Sequence, residues 1–420
     1  MVARSTLFLS LLATPTLASL LDRLFSFSLP LQRILSATFS SSFDTNREIQ
    51  TFVALGDSYS AGIGTPIPGG DGAREDDCRR GSGAYPYLLS LDLLPPANDS
   101  LTNQPFQWLS CTGSTTDDLL ASPQNTSQID ALIVNPSSPP AFATLSIGGN
   151  DLGFFDVMNA CVFRFYSFYS GTCEAALAAS DAAIASPEFE MRLALILGEI
   201  LDRVRWEVRP EFSVTVTGYA RFFDDETEAC DDVSLGVWWG GGVGGRGPKL
   251  KREVRRRMNE LVREVNAKIE RAVAVANGRF VRPKVVFVDY DGVFEGHRFC
   301  EEGVNEPDYQ RGETWFFLPG TVDSGRDEQN ETATTAGAVL MNMLPKNSPL
   351  VDPKTCLGPA QRSGDWGELA LCYMAMAKKR EPTLRLREGM AGTNAMWYVP
   401  TYYGKTFHPV SISPRLLAVD

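Results

Sequence analysis

The chain has 420 residues, 44% of them hydrophobic, enough to bury a large core as one big domain or two ordinary ones. Its formal net charge of −12 excludes a general nucleic-acid binder, which needs a basic surface. Two His and no Cys-x-x-Cys spacing speak against a zinc site.

Taken from the start, Arg4 precedes the apolar run Leu7 to Ala13, and Thr16-Leu17-Ala18 offers small residues where a signal peptidase cuts. Residues 1–18 therefore read as a signal peptide, too short to span a bilayer. A buried helix or membrane anchor is the competing reading, and a second apolar stretch, Leu20 to Leu31, blurs the cleavage point. Residues 19–48, rich in Ser and Phe, read as an arm or linker, and 49–420 as one domain. No later segment supplies the roughly 20 apolar residues of a membrane span, so no stable insertion is expected. An even number of Cys and the sequons at Asn98, Asn125 and Asn330 agree with a secreted, extracellular glycoprotein. Order along the chain suggests the disulfides Cys78–Cys111, Cys161–Cys173, Cys230–Cys300 and Cys356–Cys372, although sequence leaves the connectivity open.

Residues 51–55 read as the first strand, followed by a loop rich in Gly, Pro and charge over 62–83. Tyr85 to Leu94 reads as a helix stopped by Pro95-Pro96, and Phe106 to Leu109 as a short strand running into a turn and helix start at 110–117. Phe142 to Ile147 is a buried strand ending in Gly148-Gly149-Asn150-Asp151, with a helix expected from Asp151. Glu188 to Val208 has helical spacing, and Phe212 to Thr217 is a β-branched strand. Pro248 to Asn277 reads as the longest helix, with Pro at its start and Gly278 past its end. Leu250, Val254, Met258, Leu261, Val265 and Ile269 line one face, and the Arg and Lys between them are assigned to solvent. Val285 to Val288 is the last strand. Strands alternating with helices predict a parallel α/β sheet covered on both faces. Residues 290–400 depart from that rhythm and are expected to be loops over the carboxyl edge.

Several motifs fail on inspection. No Gly-x-Ser-x-Gly occurs. Gly404-Lys405-Thr406 lacks the earlier Gly of a phosphate loop, since Val399 stands there. Gly242 to Gly247 matches a dinucleotide fingerprint but follows no convincing strand, and reads as a loop. The acidic run Asp224-Asp225-Glu226 with Asp231-Asp232 lacks the ligand order of a calcium loop and reads as solvated. No metal or organic cofactor is implied.

The productive stretch is Phe52 to Ser60, in which a strand breaks at Gly56 and presents Ser58 where a helix begins. A plain helix N-cap is the competing reading of Ser58. The carboxyl ends of parallel strands share one edge, so Ser58, Gly113, Asn150 and the C-terminal His408 can converge there. Ser58 would attack a carbonyl, and its N–H, the Gly113 N–H and the Asn150 amide could donate to the oxyanion. A His would take the Ser proton and return it to the leaving alcohol. His297 competes with His408 for that part, and Asp57 is expected to shape the nucleophile turn.

Gly56-Asp57-Ser58, Gly113 and Gly148-Gly149-Asn150-Asp151 resemble the first three blocks of the SGNH, or GDSL, hydrolases, and Thr406-Phe407-His408-Pro409 resembles the last. The resemblance covers residues 50–300 and the stretch around His408. It implies a three-layer α/β/α, flavodoxin-like domain and ester hydrolysis through Ser58, and it is nearest to secreted, disulfide-containing esterases and lipases. It also supports the first three Cys pairs and favours His408 over His297, whose Gly-His…Cys segment is a structural feature of such enzymes. The family's last block has an Asp three residues before the His; here that position is Lys405, whose side chain cannot accept from imidazole. A Ser58–His408 dyad is therefore expected, with the main-chain carbonyl of Lys405 holding the ring, and Asp289 or Asp291 as the remote alternative. Phe163, Phe165, Tyr166, Phe168 and Tyr169 read as core or as an acyl-chain wall, and Trp238, Trp239 and Trp315 raise the same choice. The expected partner is a lipid or small acyl ester acted on by a monomer. The rivals are an acetylated carbohydrate as substrate and a catalytically silent binding protein.

Overall fold

The structure, a computed structural model, describes residues 49–68, 76–94, 106–163, 172–235, 242–243, 247–308, 313–318 and 404–410, with Leu357, Cys372 and Met376 as isolated positions. The expected signal peptide and arm, Asn98, Asn330, Cys356, the aromatics at 165, 166, 168 and 169, Trp238, Trp239 and most of 319–400 lie outside the described residues.

Four strands, β1 (Val53–Gly56), β3 (Phe142–Ser146), β4 (Ser213–Thr217) and β7 (Val285–Val288), join the short β2 (Gln107–Trp108) in one sheet. Its order is β2-β1-β3-β4-β7 and every pairing is parallel. That is the flavodoxin-like order, with the switch point between β1 and β3. β1 and β3 are buried at every position, as expected of parallel strands covered on both faces. A separate antiparallel ribbon pairs β5 (Val233–Ser234) with β6 (Gly242–Val243), so the described start of the Gly-rich stretch stands in a paired strand.

Alternation along the strands sends side chains to two cores. Val53, Leu55, Ala143, Leu145, Val214 and Val216 pack into the larger one. It is closed by α6 (Cys173–Ala185), α7 (Glu188–Val204) and α8 (Arg252–Asn277). Phe52, Ala54 and Phe142 face the smaller core with α2 (Tyr85–Leu93), where Phe52 stacks between Phe106 and Phe142 at 4.7 and 4.8 Å. The layers are thus helix, sheet, helix.

The longest helix differs from its expected form in two ways. It begins at Arg252 and leaves Pro248 outside, although Leu250 is buried ahead of it. Its Arg face is not wholly solvated either. Arg255 is fully buried, donating to the Leu250 and Thr227 carbonyls at 2.8 and 2.5 Å and to Asp231 at 3.1 Å, with a further bond to the Asp224 carbonyl. The acidic loop therefore serves a buried cation, which needs such partners to be tolerated in a core. Asn259 and Asn266 on the same helix are buried and bond the backbones of Phe223 and Tyr219.

The helix expected from Asp151 starts at Phe154 as α5 (Phe154–Met158), behind Gly153 in a left-handed conformation. The helix expected over 188–208 ends at Val204, where Arg205 turns left-handed and a short 3₁₀ turn follows. The Ala-rich α6 carried no expectation. Its Ala spacing defines no strong apolar face, and packing on α5 and α8 holds it.

Three disulfides, Cys78–Cys111, Cys161–Cys173 and Cys230–Cys300, agree with the pairing suggested by chain order. Cys372 is disulfide-bonded as well, while Cys356 lies outside the described residues. Asn125 stands exposed in a turn. Among the described residues no helix is long and apolar enough to cross a membrane.

Candidate active site

At the end of β1 the chain must turn sharply into α1 (Ser58–Ala61). Gly56 makes the turn at φ 127°, and a Cβ there would lie 2.0 Å from the Ser146 carbonyl oxygen, so only Gly fits. Asp57, not Ser58, is the N-cap: its Oδ1 accepts from the Tyr59 N–H at 3.0 Å. Ser58 takes the first helical position, where its N–H has no acceptor within the helix. Its side chain is consequently free of capping duty.

The Ser58 Oγ lies 2.6 Å from Nε2 of His408. The imidazole Nδ1 sits 3.1 Å from the Lys405 carbonyl and 3.3 Å from that of Thr406. A carbonyl can only accept, so Nδ1 carries the proton and Nε2 presents a lone pair to the Ser hydroxyl. The Lys405 side chain plays no part in this. It is buried, with Nζ 4.5 Å over the Phe317 ring. Tyr59 steadies the His loop by donating to the Phe407 carbonyl at 2.8 Å, its ring 5.0 Å from the imidazole. Burial pushes His408 down from 6.5 to about 4, against the opposing effect of the two carbonyls. The ring is therefore a neutral base at physiological pH.

Asn150 follows β3 on the same edge, and its Nδ2 donates to the Ser114 carbonyl at 2.9 Å. One of the two amide hydrogens is thus used for anchorage and the other remains. Gly113 adopts φ 86° in the turn closed by the Ser114 N–H to the Cys111 carbonyl, beside the Cys78–Cys111 bridge. Asp151 locks the two loops together, accepting from the Thr116 N–H at 2.9 Å and its hydroxyl at 2.5 Å; burial raises its carboxyl to about 6.

Asp57 is fully enclosed and burial lifts it to about 7, opposed by bonds from Tyr219, Tyr59 and Ser146. Its Oδ2 accepts from the Tyr219 hydroxyl at 2.5 Å and its Oδ1 from Ser146 at 3.2 Å. Gln128 clasps Gly56 from both sides, with Oε1 2.8 Å from the Gly56 N–H and Nε2 2.9 Å from its carbonyl. Sequence reading found neither Tyr219 nor Gln128. Tyr219 had a usable signal, since it stands two residues past the end of β4, on the edge where Ser58 and Asn150 already lay. Gln128 had none, because an amide at the start of a short helix carries no pattern.

Ser58, Asn150 and His408 open into one cleft. Its wall is apolar: Phe154, Phe155 and Met158 from α5, Phe163 just beyond it, and Val262 and Val265 from α8. Of the expected aromatic wall at 163–169, Phe163 is the described member, and it meets Phe407 at 5.6 Å between ring centroids.

His297 is held elsewhere. It is half-buried, stacked on Trp315 with 3.6 Å between centroids, and its Nδ1 lies 2.7 Å from the Glu313 carbonyl. Asp291 binds Arg221 at 2.6 Å and Arg298 at 3.2 Å, and Asp289 accepts from the Asp291 N–H. Neither Asp is bonded to the His408 ring, whose Nδ1 faces carbonyls.

Fold and cleft together define a flavodoxin-like α/β protein with a Ser–His pair at the carboxyl edge of its sheet. The family model for the GDSL-like Lipase/Acylhydrolase family matches residues 54–298, more than half of the chain, and the protein belongs to that family. It is 33% identical over 172 residues to Lipase 1 of Streptomyces coelicolor, covering 41% of this chain and 53% of that protein. It is 27% identical over 249 residues to a lipase of Streptomyces rimosus, covering 59% of this chain and 73% of the other. The chain thus spans about half the length of the first of these relatives. Among solved structures it is similar to phospholipase A1 from Streptomyces albidoflavus NA297, with 25% identity, a TM-score of 0.42, and coverage of 60% of this chain and 84% of that one.

Proposed function

We propose that the protein is a serine-dependent carboxylic ester hydrolase that takes esters with an apolar acyl group. The observation that carries this reading is the Ser58 Oγ to His408 Nε2 contact of 2.6 Å, made at the mouth of an apolar cleft by an imidazole whose other nitrogen is already fixed. His408 removes the hydroxyl proton as Oγ attacks the ester carbonyl. The carbonyl oxygen becomes an oxyanion, met by the Ser58 N–H, the Gly113 N–H and the remaining Asn150 amide hydrogen. Collapse breaks the bond to the alcohol oxygen, which leaves with the proton from His408. Water then attacks the acyl-Ser58, gives a proton to His408, and releases the acid with Ser58 restored.

The apolar wall favours a lipid or medium-chain acyl ester over an acetylated carbohydrate, whose acyl group is a single methyl. Chain-length dependence on soluble esters separates the two. We extend the proposal to export: residues 1–18 as a signal peptide, 19–48 as an arm, and 49–420 as the hydrolase domain, with 290–400 as its loop-rich part. The disulfides agree with an oxidising compartment.

The test is a fluorophosphonate probe on purified protein, with the adduct mapped by mass spectrometry in wild type, His408→Ala and His297→Ala. Labelling at Ser58 that collapses only without His408 is the expected result. No adduct at Ser58 in folded protein, together with inertness to activated esters, would favour a silent binding protein. Loss of labelling only without His297 would reassign the base.

A further inference from the structure

The nucleophile and the Asn150 loop sit on different strands, and their relative placement has to be held to a fraction of an ångström for one oxyanion to meet donors from both. We propose that the Tyr219 hydroxyl is the positioning group that fixes this distance, by bonding the nucleophile turn and the Asn150 loop at once. The inference rests on the reading of Ser58 as nucleophile and Asn150 as oxyanion donor.

The hydroxyl donates to Asp57 Oδ2 at 2.5 Å and accepts from the Gly149 N–H at 3.1 Å. Asp57 is the residue before Ser58 and caps its helix; Gly149 is the residue before Asn150. Each partner is therefore one peptide from a group that would touch the reacting carbonyl. The other bonds between the β1 and β3 ends that involve Asp57 both run to Ser146, whose hydroxyl donates to Asp57 Oδ1 at 3.2 Å and whose carbonyl accepts from the Asp57 N–H at 2.8 Å; Ser146 lies three residues upstream of Gly149, and these bonds leave the Gly149 peptide untouched.

Tyr219 is itself built to stay still. Its N–H and carbonyl are both bonded to the buried Asn266 side chain, at 2.9 Å each. Its ring packs edge-on against Tyr59 at 5.0 Å between centroids. A rotamer locked by packing and by a side-chain clasp on its backbone is what a positioning group requires. Burial, and next the neighbouring Asp57 charge, push the phenol well above its ordinary range, so the hydroxyl keeps its proton throughout the working pH range. It can then donate to the Asp57 carboxylate and accept from Gly149. A residue serving only as core would bury the ring alone, and a Phe would suffice.

The experiment is Tyr219→Phe, read by steady-state kinetics on a soluble p-nitrophenyl ester, with the fluorophosphonate adduct at Ser58 of the wild type mapped in parallel. kcat is expected to fall about 10- to 100-fold, because a displacement of ~1 Å costs about that much, with KM changed by less than about threefold. A Tyr219→Phe kcat within about threefold of wild type overturns the inference while leaving the reading of Ser58 intact. Absence of a Ser58 adduct in wild type overturns the reading on which it rests, and with it the inference. Amide hydrogen exchange of the wild type decides the matter even if the variant does not fold. Protection of the Gly149 N–H supports the bond to Tyr219, and exchange at the rate of an open loop overturns it.

Discussion

The two His of this chain make an instructive pair. Both have Nδ1 within hydrogen-bond reach of a main-chain carbonyl, Lys405 for His408 and Glu313 for His297. They differ in what surrounds the second nitrogen. His408 is buried against Tyr59 and Phe407, and its Nε2 meets Ser58; His297 is half-buried and lies flat on Trp315. The same residue type with the same anchorage therefore faces a serine hydroxyl in one place and packs on an indole in the other. The difference lies in the neighbours at Nε2 and in the loss of water, which holds His408 neutral.

The sharpest way to break the comparison is to remove the pair itself. Ser58→Ala and His408→Ala should each lower kcat by roughly 10⁴- to 10⁶-fold on an activated ester, the range found when one member of such a unit is lost. His297→Ala should leave turnover near wild type, and a loss matching that of His408→Ala would reverse the assignment. Next in size is Asn150→Ala, expected to cost about 10²- to 10³-fold in kcat with little change in KM. A rise in KM at unchanged kcat would instead make Asn150 a ground-state binding residue.

The pH dependence sharpens the contrast further. Because His408 stands at about 4 rather than 6.5, kcat/KM should hold its plateau below pH 6.5 and decline only toward pH 4. A limb near 6.5 would show the base to be solvated. The stability linkage follows the same sign. A His depressed on folding contributes stability that is present above its unfolded value of 6.5 and is lost as pH falls through about 4. Asp57 acts oppositely: raised from 3.8 to about 7, it contributes stability that is present below 3.8 and lost as pH rises through 7. Thermal melts of His408→Asn against wild type between pH 7 and 4 should show the wild type losing the extra stability on the acid side.

The smallest expected effect is that of Lys405→Ala. The carbonyl that holds His408 is main chain and survives, so kcat should stay within about threefold, while the lost contact over Phe317 costs about 1–2 kcal/mol of stability. A turnover loss comparable to that of Ser58→Ala would mean that the side chain, not the carbonyl, orients the ring.

Much of this was legible in the sequence. The strands at 53–56, 142–146, 213–217 and 285–288 are short runs rich in β-branched or apolar residues, as parallel strands are; the central ones are covered on both faces, while Val286 and Phe287 on the edge strand are half-buried. Gly56-Asp57-Ser58 read as a strand-to-helix turn because an apolar run breaks there at a Gly and a Ser follows where a helix can begin; the structure adds that a Cβ at Gly56 would collide with the Ser146 carbonyl. The three described cystine pairs followed chain order. Helix ends were harder. Pro248 suits a first turn, yet Leu250 is drawn into the core ahead of the helix and the backbone becomes helical only at Arg252. Arg255 looked solvated because periodicity reports only its helix face. It is buried because a loop more than twenty residues upstream supplies its acceptors.

What the sequence determined by itself was local and periodic: the alternation of strand and helix, the turn that presents Ser58, and the absence of an acid three residues before His408. What only the tertiary structure decided was partnership across distance. It brought His408 to within 2.6 Å of Ser58, 350 residues away along the chain, and gave Asp57 and Gly149 a common partner in Tyr219. The physical reason is that hydrogen bonds between side chains depend on separations of a few tenths of an ångström, and those are set by how layers pack rather than by any spacing along the chain.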